Sequence, residues 1–430
     1  MALIDKSHGG RGARLRRQGG QVGAVDDAGE TIKPGKLRLF HDVAVVPTRS
    51  LYCNNQLSDG GPIWPNFEAR QAIRHHRKGK VIDHTPEPRG APYQAIDQPC
   101  IWGGFAMLHF GHLVAEHLSR VLESVTERPG DTFLFTAKPG EDAGQAPEYF
   151  WTILAWYGVP RAQVMFATEP LRVAELRVMP QAEQMGYGEP SEAYLDLLDL
   201  LPQARGLVPV VCDILYVART GLLQGGKGGH AGEAYVVDRL LACGVRVLDP
   251  AQVPLLEQLA LYAGARVIVF AEGSAVHGRQ LLGRLPQDIY VLKRRPDKDI
   301  GLAMLDKRCK QLRYVETAAR FVAAASRSGH VYDAKGISFY DLKQLHGCFL
   351  GLGVDLKAGW SDTAYLKARD GDAIAWLTAI RGMVTLTRKS RMRIAEEFRH
   401  EGLTLSRLAF WWIGVKVLSK AVMTRLTRKT

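Results

Sequence analysis

The sequence predicts an α/β protein with parallel strands. Two observations carry this. Between residues 214 and 282 apolar strands and amphipathic helices alternate three times, and a similar alternation lies upstream of Pro202. In the first stretch, residues 214–220 (Ile-Leu-Tyr-Val-Ala-Arg-Thr) read as a buried strand running into Arg219. A helix follows from Glu233, then a strand within 245–250, then a helix over 255–265. Residues 266–271 form a last apolar strand that enters a Glu272-Gly273-Ser274 turn and a helix bearing His277. Domains of this class bind ligands at the carboxyl ends of their strands. Arg219 and the 272–274 turn both stand at such ends.

The upstream elements follow the same logic. Residues 1–36 hold Gly-Gly repeats and few large apolar side chains, so a flexible segment is expected. A strand over 37–46 is stopped by Pro47, and residues 50–100 are rich in turn formers. Leu108, Leu113, Leu118 and Leu122 make a helical stripe over 105–125. Strands are expected at 132–136, 164–166 and 171–178. Helices are expected at 149–158, ended by Gly158 and Pro160, and at 191–201, capped by Ser191. Residues 202–206 would connect a first unit (37–205) to a second (206–300), whose last strand is 289–293. A mainly helical extension (301–402), with helices at 318–325, 340–350 and 373–384, and a basic amphipathic tail (403–430) complete the expected organisation.

The chain has 430 residues, 46% of them hydrophobic, enough for more than one ordinary core. Its six cysteines form no CxxC pair and no Cys/His set with zinc spacing, a usage that suits a reducing cytoplasm. The net charge of +12 is concentrated at the ends. Residues 381–430 hold twelve Lys and Arg against three Glu, and the first twenty residues hold five more basic side chains. A near-neutral middle argues against nucleic acid running through the fold. It favours an anionic membrane surface met by the termini. Trp411, Trp412 and the interspersed basic residues of the tail suit the headgroup region of a bilayer; the alternative is a packed terminal helix. No secretory signal and no spanning segment is read from the sequence, so a cytoplasmic protein, peripheral on the membrane, is expected.

Four motifs in order carry a family resemblance: Phe-Gly-His-Leu-Val-Ala-Glu-His-Leu-Ser-Arg (110–120), Tyr-Val-Ala-Arg (216–219), Glu257-Gln258 before Ala-Gly-Ala-Arg-Val-Ile-Val (263–269), and Ala-Glu-Gly-Ser-Ala-Val-His (271–277). Over roughly residues 100–290 the chain resembles the family 61 glycosyltransferases, formerly a domain of unknown function and frequent in bacterial capsule synthesis. The resemblance implies a GT-B architecture: two Rossmann-like halves facing a cleft. It also implies inverting transfer of a sugar from a nucleotide-sugar donor to a glycan or lipid-linked acceptor, without a metal or other cofactor.

Such transfer needs a stabilised diphosphate, a base for the acceptor hydroxyl, and alignment. Arg219 suits the cationic role, with a surface arginine as the alternative. Gly273 and Ser274 suit an anion cradle opening a helix, although an ordinary tight turn reads the same. Glu272 is a candidate for ribose hydroxyls or for orienting Arg219, and His277 for phosphate or base. Glu257 completes the donor set; the alternative is a first-turn acid favoured by the helix dipole. His112 is the candidate base and Glu116, four residues on, its orienting partner; alternatively Glu116 pairs with Arg120. His109, His112, Glu116 and His117 lack HExxH order, which argues against zinc. Gly221, Gly226 and Lys227 mimic a P-loop, but Gly228 stands where Ser or Thr must be, so a flexible loop over the donor site is expected. Asp370 and Asp372 mimic a DxD metal motif outside the α/β core. Competing functions are a sugar-nucleotide epimerase and a non-catalytic membrane-associated subunit, the latter requiring Arg219 and the 272–277 turn to lie apart.

Overall fold

The computed structural model describes residues 36–48, 60–88, 93–106, 108–137, 143–326, 329–384 and 386–403. The expectations for residues 1–35 and 404–430, including most of the basic tail, lie outside the described residues. No helix among the described residues is long and apolar enough to cross a membrane.

The first unit contains β1 (Arg38–Val46), β2 (Gly61–Ile63), β3 (His76–Arg77), β4 (Lys80–Val81), β5 (Gln94–Ile96) and β6 (Cys100–Phe105). Then come α1 (Phe110–His112), α2 (Val121–Glu127), β7 (Thr132–Thr136), α3 (Glu148–Tyr157), β8 (Val164–Ala167), β9 (Leu171–Val178) and α4 (Glu192–Ala204). The main sheet runs β2-β1-β9-β6-β7-β8, with β5 also on β9. Strands β6, β7 and β8 are parallel and joined by helices, as right-handed crossover connections require. Strand β1 adds antiparallel to β9.

The helix expected over 105–125 begins only at Phe110. Phe105 closes β6 instead, because residues 100–105 are buried on both faces in the middle of the sheet and carry no polar period. Gly103 marks the tightest point: a Cβ there would overlap the Phe135 ring. The helix is also interrupted, with a wide π-type turn over Leu113–His117 before α2. Downstream, α4 starts on its Ser191 cap, whose side chain accepts from the Tyr194 N–H at 3.2 Å. It then runs through Pro202, which was expected to begin the connection. Pro202 forfeits one N–H near the end of the helix, but Arg205 still donates to Leu201 and Leu207 to Pro202, which closes the last turn.

The second unit contains β10 (Cys212–Val217), β11 (Gly229–Ala231), α5 (Glu233–Ala242), β12 (Arg246–Leu248), α6 (Leu255–Gly264), β13 (Ala265–Ala271), β14 (Asp288–Leu292), α7 (Leu302–Leu305) and β15 (Gln311–Val315). Its parallel sheet has the order β12-β10-β13-β14-β15. Numbered along the chain, that is 2-1-3-4-5, and the order reverses between β10 and β13. The segment after β13 is a 3₁₀ helix, Ser274–Leu281, tighter than the helix expected there. The sheet passes residue 300, because β15 forms its far edge.

Beyond it lie β16 (Ala318–Val322), β17 (Ile337–Tyr340), α8 (Leu342–Gly351), α9 (Asp362–Met383) and α10 (Arg388–His400). The helix expected over 318–325 is strand β16. A short apolar run has too few residues to reveal its period, and here an antiparallel partner, β17, claims it. Strand β11 joins β17 in parallel, so this small sheet holds the residues that follow Lys227.

The two units share one core. Phe150, Trp156 and Leu198 of the first belong to the same buried cluster as Leu215, Leu259, Phe270 and Leu281 of the second. Trp156 donates its Nε1–H across the boundary to the Leu281 carbonyl at 2.8 Å. Arg284 fastens the same boundary from outside, with Glu192, Asp196 and Asp199 of α4 around its guanidinium. The two units therefore pack directly against each other along this boundary.

Helix α9 crosses back onto the loop between β10 and β11. Asp372 accepts from the Gly232 N–H at 2.8 Å and from Gln224 Nε2 at 2.9 Å. Gly226 packs under Met383 and Ala379. The loop expected to be flexible is thus fastened, and Asp372 is taken up in fastening it. Asp370 is paired with Arg369 at 2.7 Å. At Gly228 a Cβ would overlap Arg294 and the Ala334 carbonyl, which accounts for glycine where a P-loop has a hydroxyl residue.

Candidate functional site

A cavity of about 770 Å³ opens where the two units meet, within the usual range for small-molecule sites. Its floor is the carboxyl end of the second sheet at the reversal between β10 and β13. Ala218 and Arg219 follow β10, Asp249 and Pro250 follow β12, and Ser274 and Ala275 follow β13. Lys227, from the fastened loop, and Lys335 add two more cationic side chains. Lys335 is positioned by its own carbonyl, which accepts the Nε1–H of buried Trp376 on α9 at 2.7 Å. Leu108, His109, Phe110 and the first turns of α3 form the opposite wall.

Arg219 is held in place by the backbone around it. Its Nη2 donates to the Gly228 carbonyl at 2.8 Å, and its own N–H donates to Glu233 Oε1 at 2.9 Å. The guanidinium lies across Gly273, where any Cβ would overlap it. The need for glycine is steric, since φ at 273 is 175° and ordinary extended backbone. Burial lowers the Arg219 pKa, and the nearby Glu233 and Glu272 oppose that. Each carboxyl has hydrogen-bond partners of its own. Burial pushes Glu233 up to about 7 despite the Arg219 N–H and the Tyr216 hydroxyl that donate to it. Glu272 is fully buried and committed elsewhere: it accepts from the backbone of Arg294 and Arg295 at 2.7 and 2.8 Å and from Arg295 Nε at 2.5 Å. The guanidinium reaches the cavity, and its buried Nε finds no acceptor among the described residues.

The opposite wall is organised by Glu116, which has no exposed surface. Arg77 donates to both its oxygens at 2.8–3.1 Å, His75 Nε2 lies 2.7 Å from Oε1, and His112 Nδ1 lies 3.2 Å from Oε2. Burial would raise this carboxyl, but the hydrogen bonds from His112 and His75 outweigh it and hold the pKa well below the usual range. Glu116 is therefore an anion that orients His112, while Arg120 donates to the Ile73 carbonyl. Burial lowers the His75 pKa, so His75 serves as a neutral donor. The ring of His117 stacks on His75 at 4.7 Å. His75, Glu116 and His117 bring ligand atoms within 4.8 Å of one another, a grouping capable of holding a metal ion. The 2.7 Å His75–Glu116 distance is that of a hydrogen bond, and Arg77 already covers both carboxylate oxygens.

His112 itself is not on the cavity wall; its side chain is 30% exposed. His109, at the start of the helix, is on the wall, its ring 5.3 Å from that of His112. Burial, then the charges of His112 and Lys227, lower its pKa. His277 lies behind the wall, buried, with Nδ1 2.8 Å from Gln280 Oε1; burial lowers it to about 4. It meets Gly111, where a Cβ would stand 3.1 Å from both His277 Cδ2 and Ser274 Cβ. Glu257 is exposed on the first turn of α6, away from the cavity. Its neighbour Gln258 lines the cavity instead and donates to the carbonyls of Pro250 and Val253. The structure thus gathers Arg219, Gly273 and Ser274 around one space, with His277 behind it and Glu272 one layer below.

Residues 110–279 match a family described as Glycosyltransferase 61. This segment is a family 61 glycosyltransferase domain. Its limits fall at α1 and at the end of the 3₁₀ helix, the two elements that meet at Gly111. No curated protein matches the chain. The glycosyltransferase domain therefore contains most of the cavity wall, while Lys335 and the fastening helix α9 come from outside it.

Replacing Gly111 with valine should force these two elements apart. Overpacking of this kind costs about 1–3 kcal/mol, so the Gly111→Val melting transition should fall measurably below that of the parent. An unchanged transition would show that the contact is loose.

Proposed function

We propose that the protein is an inverting glycosyltransferase of GT-B type that moves a hexose or pentose from a nucleotide-sugar to a glycan or lipid-linked glycan at the cytoplasmic face, in cell-surface polysaccharide synthesis. The observation that carries this reading is the cavity at the β10/β13 reversal, where the Arg219 guanidinium lies across Gly273. Ligands of α/β sheets bind at such reversals. A diphosphate there would meet Arg219, Lys227, Lys335 and the start of the 3₁₀ helix, a field suited to a leaving group that gains negative charge. The proximity of Arg219 to the 272–277 turn runs against the non-catalytic subunit.

In the reaction the acceptor oxygen attacks the anomeric carbon, the bond to the donor phosphate breaks, and the nucleoside diphosphate leaves with the electron pair. The acceptor proton goes to a general base. His109 is the better placed base, because it lines the cavity and is neutral at neutral pH. His112, oriented by Glu116, is the second candidate, favoured by its fixed tautomer.

Three measurements test this. Among UDP, GDP, CDP and ADP, at least one should raise the melting temperature, and Arg219→Ala should weaken its binding in calorimetry by about 1.5–3 kcal/mol, the range for a hydrogen bond to a charged group. Full affinity in the folded variant would remove Arg219 from the donor site.

His109→Ala should lower turnover by about two orders of magnitude or more with little change in donor affinity. Because its pKa is lowered, the unprotonated base is lost only on acidification. The acidic limb of the rate profile should lie below the ordinary imidazole value of about 6.5. Normal turnover in this variant, with a deep loss in His112→Ala, would pass the role to His112.

Transfer is expected to proceed fully in EDTA, the cationic side chains supplying the positive field. Loss in EDTA with rescue by a divalent ion would sink metal independence and turn attention to His75, Glu116 and His117.

A further inference from the structure

We propose that Asp249 binds the ribose hydroxyls of the donor nucleotide and so makes the cavity select ribonucleotides over 2′-deoxyribonucleotides; this rests on the nucleotide-sugar reading. The position follows from strand register. Val217 of β10 pairs with Leu248 of β12 on one side and with Phe270 of β13 on the other. Asp249 is the residue after Leu248, so it stands one strand spacing from the Ala218–Arg219 turn, on the side away from Ser274. Two strand spacings, about 10 Å, separate Asp249 from the level of Ala271 on β13, and the 273–274 turn lies two to three residues beyond it. A ribose diphosphate laid across the strand ends has its diol and its outer phosphate at the two ends of such a gap.

The chemistry at the two ends differs in the same sense. Arg219, Lys227 and Lys335 make a place for phosphate, and a carboxylate in such a cavity repels phosphate. Its presence calls for a ligand group that donates hydrogen bonds. The other carboxylate of the wall, Glu148, sits in the first turn of α3, where the helix dipole accounts for it. Asp249 has no such account. Its Oδ1 accepts the Ala251 N–H at 3.0 Å, a turn bond that asparagine would make equally well. Oδ2 has no partner among the described residues. The turn bond fixes the side chain, and half-burial strengthens a charge-assisted bond to a hydroxyl pair. Pro250, Val253 and Pro254 continue the wall beside it as an apolar surface for a base. Glu272, the sequence-level candidate for this role, is consumed by Arg294 and Arg295.

The experiment is calorimetry on the full chain with UDP, GDP, CDP and ADP and the 2′-deoxy counterpart of each. The parent should bind at least one ribonucleotide about ten- to a hundredfold more tightly than its deoxy form. Asp249→Ala should bring that ratio close to one, chiefly by weakening the ribonucleotide. Asp249→Asn, which keeps the turn bond, controls for local unfolding and should still reduce the ratio severalfold. Equal affinities in the parent, or a ratio unchanged in both variants, overturn the role of Asp249 while leaving a nucleotide site standing. A parent that binds none of the eight nucleotides overturns both.

Discussion

An ionised carboxylate without access to water is untenable unless its oxygens are fully engaged. Glu116 meets that condition only because segments far apart in sequence converge on it. Arg77 and His75 arrive from the small β3–β4 hairpin, His112 from the preceding turn of its own helix, and Gln181 donates to its backbone carbonyl. These demands fix the rotation of the 110–117 segment about its axis. With that rotation set, Gly111 faces the second unit, and the wall bearing His109 is turned to the cavity. The wide π-type turn belongs to the same arrangement, since it brings Glu116 and His117 together to the side of His75. Removing Glu116 would take this carboxylate from Arg77, His75 and His112 at once, so the consequences would reach well beyond one hydrogen bond.

The Arg219 side of the cavity is built on a different principle, close approach. Arg219 can lie flat against the turn after β13 because position 273 has no side chain, and Arg294 can reach the Gly336 carbonyl past position 228 for the same reason. The second sheet then presents a concave floor with cations on one flank and a carboxylate on the other. The shared core holds this floor at a fixed distance from the wall, so the two halves of the cavity need not be brought together by a hinge.

Much of this was legible in the sequence, and the reasons for the rest are physical. Strands β7, β9 and β13 and helices α3, α5 and α6 announce themselves because each has a clear period and a clean stop. Gly158 ends α3 with φ 99°, as its place before Pro160 implies. Arg219 and Gly273 were readable because a strand end limits what a residue can do. His75 and Arg77 were not, lying in a turn-rich stretch whose partner is forty residues away. Strand β16, Ala-Ala-Arg-Phe-Val, is too short for its four apolar residues to distinguish a helix from a strand. Glu257 and Gln258 differ by one helical step of about 100°, which patterning does not resolve without knowing the buried face. His109 and His112 differ in facing a cavity that exists only where the second unit meets the first.

The order of the chain has a consequence for biogenesis. The cavity floor is encoded by residues 212–275, yet the loop bearing Lys227 is tied down by Asp372, and Lys335 by Trp376. During synthesis the central sheet can assemble while these ties are still inside the ribosome, since domains fold as their segments emerge. For that interval the nascent protein has a floor without its cationic roof. The ties at the Lys227 loop and at Lys335 then form late, after more than three hundred and seventy residues have been translated. A ligand present in the cell would add its binding energy only to the finished arrangement, favouring it over partly closed forms.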